Sequence, residues 1–425
     1  MLTLFMINNF NIMYYFNLNE DTLKRIIKYN IIKVHNYITK IKNYIKYQYI
    51  IYIIFLLFIS CNLVNIDIKE NIILNETALS IAINSDSTKT GLITKIYSCS
   101  FLAIYEIYDI DSKDKISINN QINGFEKIPI PVYDINTVLA GFNAYYTVLQ
   151  AFQIKSDEIN KLQNDINQYY KNKIDNEKFQ NSLNYGKMVS KIIINNFYKN
   201  DGLNFIKNLD ELNINRPENI IKTPTKELLK NSNEIYKANN QLNDLQKNIC
   251  DYWNGNDSNL NTKINISSHW LRILSQIIKK QDIKPSEILK LYAILGIAMN
   301  ESYKIGIHNG YKMSYTTPKK FINNNIDANW NPYLKNKELE YNSITSIISS
   351  ASANIITNNL NINSSFNDSS IYEYIGKTRE FSSLVDAAAE ASISRAYGGL
   401  HYIPTVNLAA EQGKFISKII LNKFK

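Results

Sequence analysis

Beyond residue 75, apolar residues recur three and four positions apart along most of the chain, and no stretch alternates with the period of two that a half-buried strand needs. That periodicity restricts the chain to packed helices. Over 90–109 it places Leu92, Ile96, Leu102, Tyr105 and Tyr108 near one face. Over 135–154 it aligns Val138, Phe142, Tyr145, Leu149 and Phe152 behind Asp134 as N-cap. Further helices are expected over 156–174, 177–198, 286–307, 343–360 and 383–397, the last opened by Ser383 with Asp386 following. Residues 199–262, richer in Asn, Asp, Pro and Gly, read as loops between two halves. The expectation is an all-α, multi-helix bundle. A leader occupies 1–60, an N-terminal helical half 61–255 and a C-terminal half 256–425, with 75–425 one continuous helical domain. Composition agrees, since 45% hydrophobic residues support a core, and 13 Gly and 8 Pro are too few for a turn-rich β-sandwich.

A net charge of +9 invites a nucleic-acid reading, but its distribution argues against one. Residues 1–60 hold seven basic and two acidic side chains, a balance of +5, so only +4 remains for the other 365 residues. A nucleic-acid footprint is a clustered basic stripe, and none is present. No nucleic-acid partner is expected.

From Tyr47 to Ile66 no residue is charged, and Lys40, Lys42 and Lys46 lie just upstream. A basic flank before a short apolar run is the plan of a secretory signal. The run ends Leu57-Phe58-Ile59-Ser60-Cys61, which resembles a bacterial lipobox. That resemblance implies cleavage before Cys61 and a lipid anchor on its thiol, making the membrane a partner and the bacterial cell envelope the location. An uncleaved transmembrane helix is the alternative, because roughly 20 uncharged residues span a bilayer. Both readings export the rest of the chain, to the periplasm or the cell exterior. The remaining cysteines, Cys99 and Cys250, have no metal-ligand spacing. They read as small buried residues, with a disulfide between them the other possibility.

The most specific segment runs from Ser382 through Asp386, Glu390, Ser394-Arg395, Gly398-Gly399 and His401 to Tyr402. It resembles the third motif of the superfamily that joins vanadium-dependent haloperoxidases with type 2 phosphatidic acid phosphatases, in its bacterial haloperoxidase-like branch. Lys95-Ile96-Tyr97, Ser268-His269-Trp270 and Trp330-Asn331-Pro332 fall in the order that family shows. The resemblance implies an oxyanion site in which Lys and Arg hold vanadate or phosphate through charge-assisted hydrogen bonds. The third-motif His bonds the central atom, and a second-motif His is the acid–base catalyst. His401 takes the first of those histidine roles, and Arg395 and Ser343 are the oxyanion-binding candidates.

Several positions depart from the pattern. Gly310 stands where the first motif has Lys, Thr317 where it has Arg, and Thr345 where the second motif has its His. Thr405 replaces the Asp expected to orient His401. Two lost charged donors remove roughly 3–6 kcal/mol of anion binding, and loss of the acid–base group removes ~10²–10⁴ in rate. The expectation is a degenerate pocket, inactive or repurposed, with no resident cofactor, and with vanadate or phosphate as its ligand if it functions. A working phosphatase or haloperoxidase using substitute residues is the alternative, and a surface binding or scaffold protein is a second one. Arg395 has a structural reading as partner of Asp386 or Glu390, and His401 one as a core histidine. Gly398-Gly399 reads more naturally as a helix stop than as a phosphate cradle.

Overall fold

The structure, a computed structural model, describes residues 67–424 except 87–89, 109, 111–116, 123, 200–224, 255, 258–261, 314–315, 336–339, 341 and 363, together with Lys33. Met1–Asn65 and Ile66–Lys425 are separate units. Cys61 and the leader lie outside the described residues.

Among the described residues there are 14 α-helices and two short strand pairs. The helices are α1 (Ile68–Asp86), α2 (Thr90–Ile107), α3 (Thr137–Ala151), α4 (Asp157–Lys171), α5 (Asn176–Lys199), α6 (Thr225–Asn240) and α7 (Asp244–Asn254), then α8 (Ile266–Lys279), α9 (Pro285–Met313), α10 (Pro318–Asn325), α11 (Ile344–Leu360), α12 (Tyr372–Ile375), α13 (Leu384–Tyr397) and α14 (Ile403–Lys423). Antiparallel β1 (Asn256–Asp257) and β2 (Thr262–Lys263) link α7 to α8. The pair β3 (Phe366–Asp368) and β4 (Arg379–Phe381) precedes α13, with Phe366 opposite Phe381. The all-α expectation holds.

Helix starts follow residue chemistry. Asn136, Ser156, Asn265, Thr317, Ser343 and Ser383 each accept a first-turn amide through a side-chain oxygen, which satisfies a donor the helix leaves orphaned. Two expectations are corrected. Asp134 does not cap α3. Asn136 does, two residues later, while Asp134 pairs with Lys178 at 3.0 Å. The described part of 199–262 is also largely helical, as α6 and α7. Their stripe is thin but real, with Ile235, Ile249, Tyr252 and Trp253 buried. The abundance of Asn hid it.

α2 and α9 pack on each other at the centre of the body. α3 joins α2 and α5, while α11 packs on α9 and carries α13 and α14. The α2–α9 contact is a backbone approach. A Cβ on Gly296 would lie 3.0 Å from the Ser98 amide nitrogen, and the Ser98 hydroxyl donates to the Gly296 carbonyl at 2.6 Å. Phe101 on α2 stacks on Tyr292 of α9 with ring centres 4.6 Å apart. Large apolar side chains fully buried in this way contribute roughly 1.5–3 kcal/mol each. The arrangement brings the start of α11, the end of α13 and the start of α14 into one region. Cys99 and Cys250 are both buried free thiols, so the disulfide possibility is set aside.

Candidate functional site

α13 ends where the third motif begins to matter. Gly398 is its C-cap and Gly399 takes φ +77°, a left-handed conformation that glycine adopts without strain. The amides of Leu400 and His401 then return to the Arg395 carbonyl, at 3.0 and 3.4 Å. A Cβ on Gly399 would meet Pro332 and Trp330, and the Leu334 amide donates to the Gly398 carbonyl. The glycine pair is therefore a covered helix stop, packed beneath the Trp330–Leu334 stretch.

His401 is fully buried. Its Nδ1 lies 2.8 Å from the Glu340 carbonyl oxygen and 3.5 Å from Glu340 Oε2. A carbonyl oxygen only accepts, so Nδ1 carries the proton. Glu340 Oε1 takes the Tyr402 amide at 3.1 Å and the Thr405 hydroxyl at 2.7 Å. Thr405 thus does not orient His401 itself. It donates to a carboxylate that arrives from the segment before α11, while the His401 ring is held by that residue's backbone carbonyl. The sequence reading gave Glu340, three residues before Ser343, no role of its own.

Ser343 is buried and caps α11, with its oxygen accepting the Ser346 amide and the Ser346 hydroxyl 2.9 Å away. Thr345 is buried in the first turn of the same helix. Thr317 is spent on capping α10, accepting the Lys320 amide at 3.3 Å. Gly310 lies near the end of α9.

Arg395 is buried, and its guanidinium reaches the Ser394 hydroxyl at 3.1 Å and Asn254 Oδ1, at the end of α7, at 3.5 Å. The carboxylates considered for it in sequence have other partners. Asp386 accepts from Ser382 and Ser383, while Glu390 binds Arg379 at 2.6 Å and the Trp253 indole at 2.9 Å. Asn254 carried no signal in the sequence. Asn265 caps α8, four residues before His269. The His269 ring lies tilted against Trp253, with ring centres 4.9 Å apart, and pairs with buried Asp368 at 2.8 Å. Burial pushes the Asp368 carboxyl up, but the His269 ring and the Ser370 hydroxyl and amide outweigh it and hold that carboxyl below its ordinary range. His308 is exposed near the end of α9.

The described side chains thus fit part of an oxyanion site. His401 and Arg395 are both buried at the end of α13, but no second cation and no acid–base histidine stand at the motif positions. Among the described residues, no group of three or more His, Cys, Asp or Glu is placed to hold a metal ion. No described helix is long and apolar enough to cross a membrane.

Residues 306–425 match the family model of the VCPO second helical-bundle domain. No curated protein matches the chain. Among solved structures, the first bacterial vanadium-dependent iodoperoxidase is similar at 23% identity with a TM-score of 0.71, over 84% of this chain and 96% of that one. A holo-type bacterial vanadium-dependent chloroperoxidase is similar at 14% identity and TM-score 0.58, over 80% and 95%. An apo-type bacterial vanadium-dependent chloroperoxidase gives 14% and 0.59, over 79% and 94%.

Proposed function

From a chain whose C-terminal bundle belongs to the vanadium haloperoxidase superfamily, we propose an exported protein that binds a tetrahedral oxyanion, phosphate or vanadate, in a degenerate pocket without efficient turnover. The observation that carries this reading is buried His401, oriented through Nδ1 by the Glu340 carbonyl, on the same motif as buried Arg395. Arg395 would supply the charge-assisted bonds, His401 the direct contact to the central atom, and Ser343 remains a candidate donor at the start of α11. Vanadate, when bound in the relatives named for it, serves peroxidase chemistry. Here Gly310, Thr317 and Thr345 leave the anion's charge largely unmatched. One or two charged bonds correspond to roughly millimolar affinity. The leader is read as a lipobox, with acylated Cys61 holding the protein on the bacterial envelope.

A specific observation favours the second reading, an active phosphomonoesterase or haloperoxidase with substitute residues. The Glu340 carbonyl orients His401 Nδ1 with its carboxylate 3.5 Å away, so the ring has a partner although the motif's Asp is absent.

One experiment separates the two. Vanadate is titrated into the purified full-length protein and followed by ⁵¹V NMR, alongside turnover of a generic phosphomonoester and of iodide or bromide with vanadate and peroxide. The expected result is weak binding, weaker still in Glu340→Gln and lost in His401→Ala, with no turnover above buffer. Turnover that disappears in His401→Ala would establish the active reading. Binding that is unchanged in His401→Ala would remove the pocket altogether.

A further inference from the structure

The stretch from Lys127 to Asp134 has no regular secondary structure, yet it is firmly rooted. The Glu126 amide donates to Asn196 Oδ1 at 3.0 Å, the Asn119 side chain donates to the Glu126 carbonyl at 2.9 Å, and the Tyr185 hydroxyl donates to the Pro129 carbonyl at 2.8 Å. From that base Ile130, Val132 and Tyr133 project into solvent at 79%, 84% and 68% exposure. Two aliphatic side chains and a tyrosine held outward within four residues are not the scattered exposure ordinary for a protein surface. Pro129 and Pro131 remove every second amide, so this segment is a poor template for adding a partner strand. The partner must be met by side chains.

What lies beside the tip identifies that partner. A surface groove of about 520 Å³ runs along α5 from the root of the loop, lined by Lys127, Lys187, Lys191, Met188 and Ile192, with Glu126 its one carboxylate. Lys187 and Lys191 stand one helical turn apart on the same face. Asp134, the other acid of the loop, is engaged by Lys178. Apolar tips beside an unbalanced row of lysines match a surface that is oily within and anionic outside.

We propose that the Ile130–Tyr133 tip and the lysine face of α5 dock on an anionic lipid bilayer, the tip entering the interface and Lys127, Lys187 and Lys191 meeting lipid phosphates. The contact is separate from any anchor in the leader and from the oxyanion pocket.

The test uses the full chain carrying Val132→Trp. The native Trp253, Trp270 and Trp330 are buried, so the added indole reports on the tip. The protein is mixed with vesicles of phosphatidylcholine, with and without phosphatidylglycerol, whose acyl chains are brominated. The expected result is a blue shift and bromine quenching of the added indole that grow with phosphatidylglycerol and shrink in high salt. Lys187→Gln with Lys191→Gln should lower that partition by about 25-fold, since each lysine near an anionic surface adds roughly fivefold. Protein that binds vesicles through its leader while residue 132 stays unquenched would overturn the proposal and leave the anchor reading intact. Equal quenching by vesicles lacking phosphatidylglycerol would overturn the role of the lysines. A concentration-dependent blue shift without lipid would show that a second copy of the chain covers the tip.

Discussion

Glu76 sits on α1 with its carboxyl wholly buried, and burial raises its pKa from 4.5 to about 7 against the pull of the Ser275 hydroxyl and of Arg272 and Lys279. Between those two values the folded chain keeps a proton the unfolded chain has released, so stability falls as pH climbs through that window. The whole effect is roughly 3 kcal/mol, from a shift of about two and a half units. Glu76→Gln keeps an acceptor for Ser275 and cannot ionise. Its melting temperature should therefore gain on the parent's progressively from pH 5 to pH 8, as followed by circular dichroism. A gap that stays constant with pH would mean Glu76 is already charged in the fold. Glu340 teaches the complementary lesson at this scale. Its neighbour Ser343 was legible as a motif residue, but its own pairing with His401 was not.

At the scale of the element, α14 meets α11 at a glycine. A Cβ on Gly413 would lie 2.3 Å from the Ile347 carbonyl oxygen and 2.9 Å from the Ala351 amide nitrogen, both backbone atoms that cannot swing aside. Helix propensity favours Gly413→Ala by about 1 kcal/mol, whereas forcing the helices apart costs about 1–3 kcal/mol. The clash should win. The melting temperature is expected to fall, and vanadate affinity with it, because Ser343 opens one of these helices and Thr405, bonded to Glu340, lies in the first turn of the other. An alanine variant as stable as the parent would show that the two helices separate at little cost. The caps were more legible than the crossings. Ser343 and Ser383 open their helices where residue chemistry places them, whereas nothing local marks Gly413 as a contact.

For the whole molecule, the open question is where the body is held. The reading of 1–60 as a leader cleaved before Cys61 predicts that metabolic labelling with a palmitate analogue marks the protein. Cys61→Ser should abolish the label and leave an unprocessed precursor on a denaturing gel. A variant that is processed and released as usual would refute the lipobox. If the label is absent but the protein stays in the membrane fraction, the uncleaved transmembrane alternative takes its place.

The candidacy of Arg395 and His401 came from the motif resemblance, while the sequence by itself determined the helical class and most of the motif-bearing helices, because a helix is written in contacts three and four residues apart. The stop at Gly398-Gly399 was legible for the same reason. Tertiary structure alone decided which groups those side chains meet. Glu340 reaches His401 across 61 positions and Asn254 reaches Arg395 across 141. Such pairs share no period and no local composition. The helices of the 225–254 stretch were likewise hidden by polar residues until packing showed which few apolar side chains they bury. Local periodicity sets what each segment becomes, while the partner of a buried polar group is set by how the segments dock, since only docking removes the water that would otherwise satisfy it.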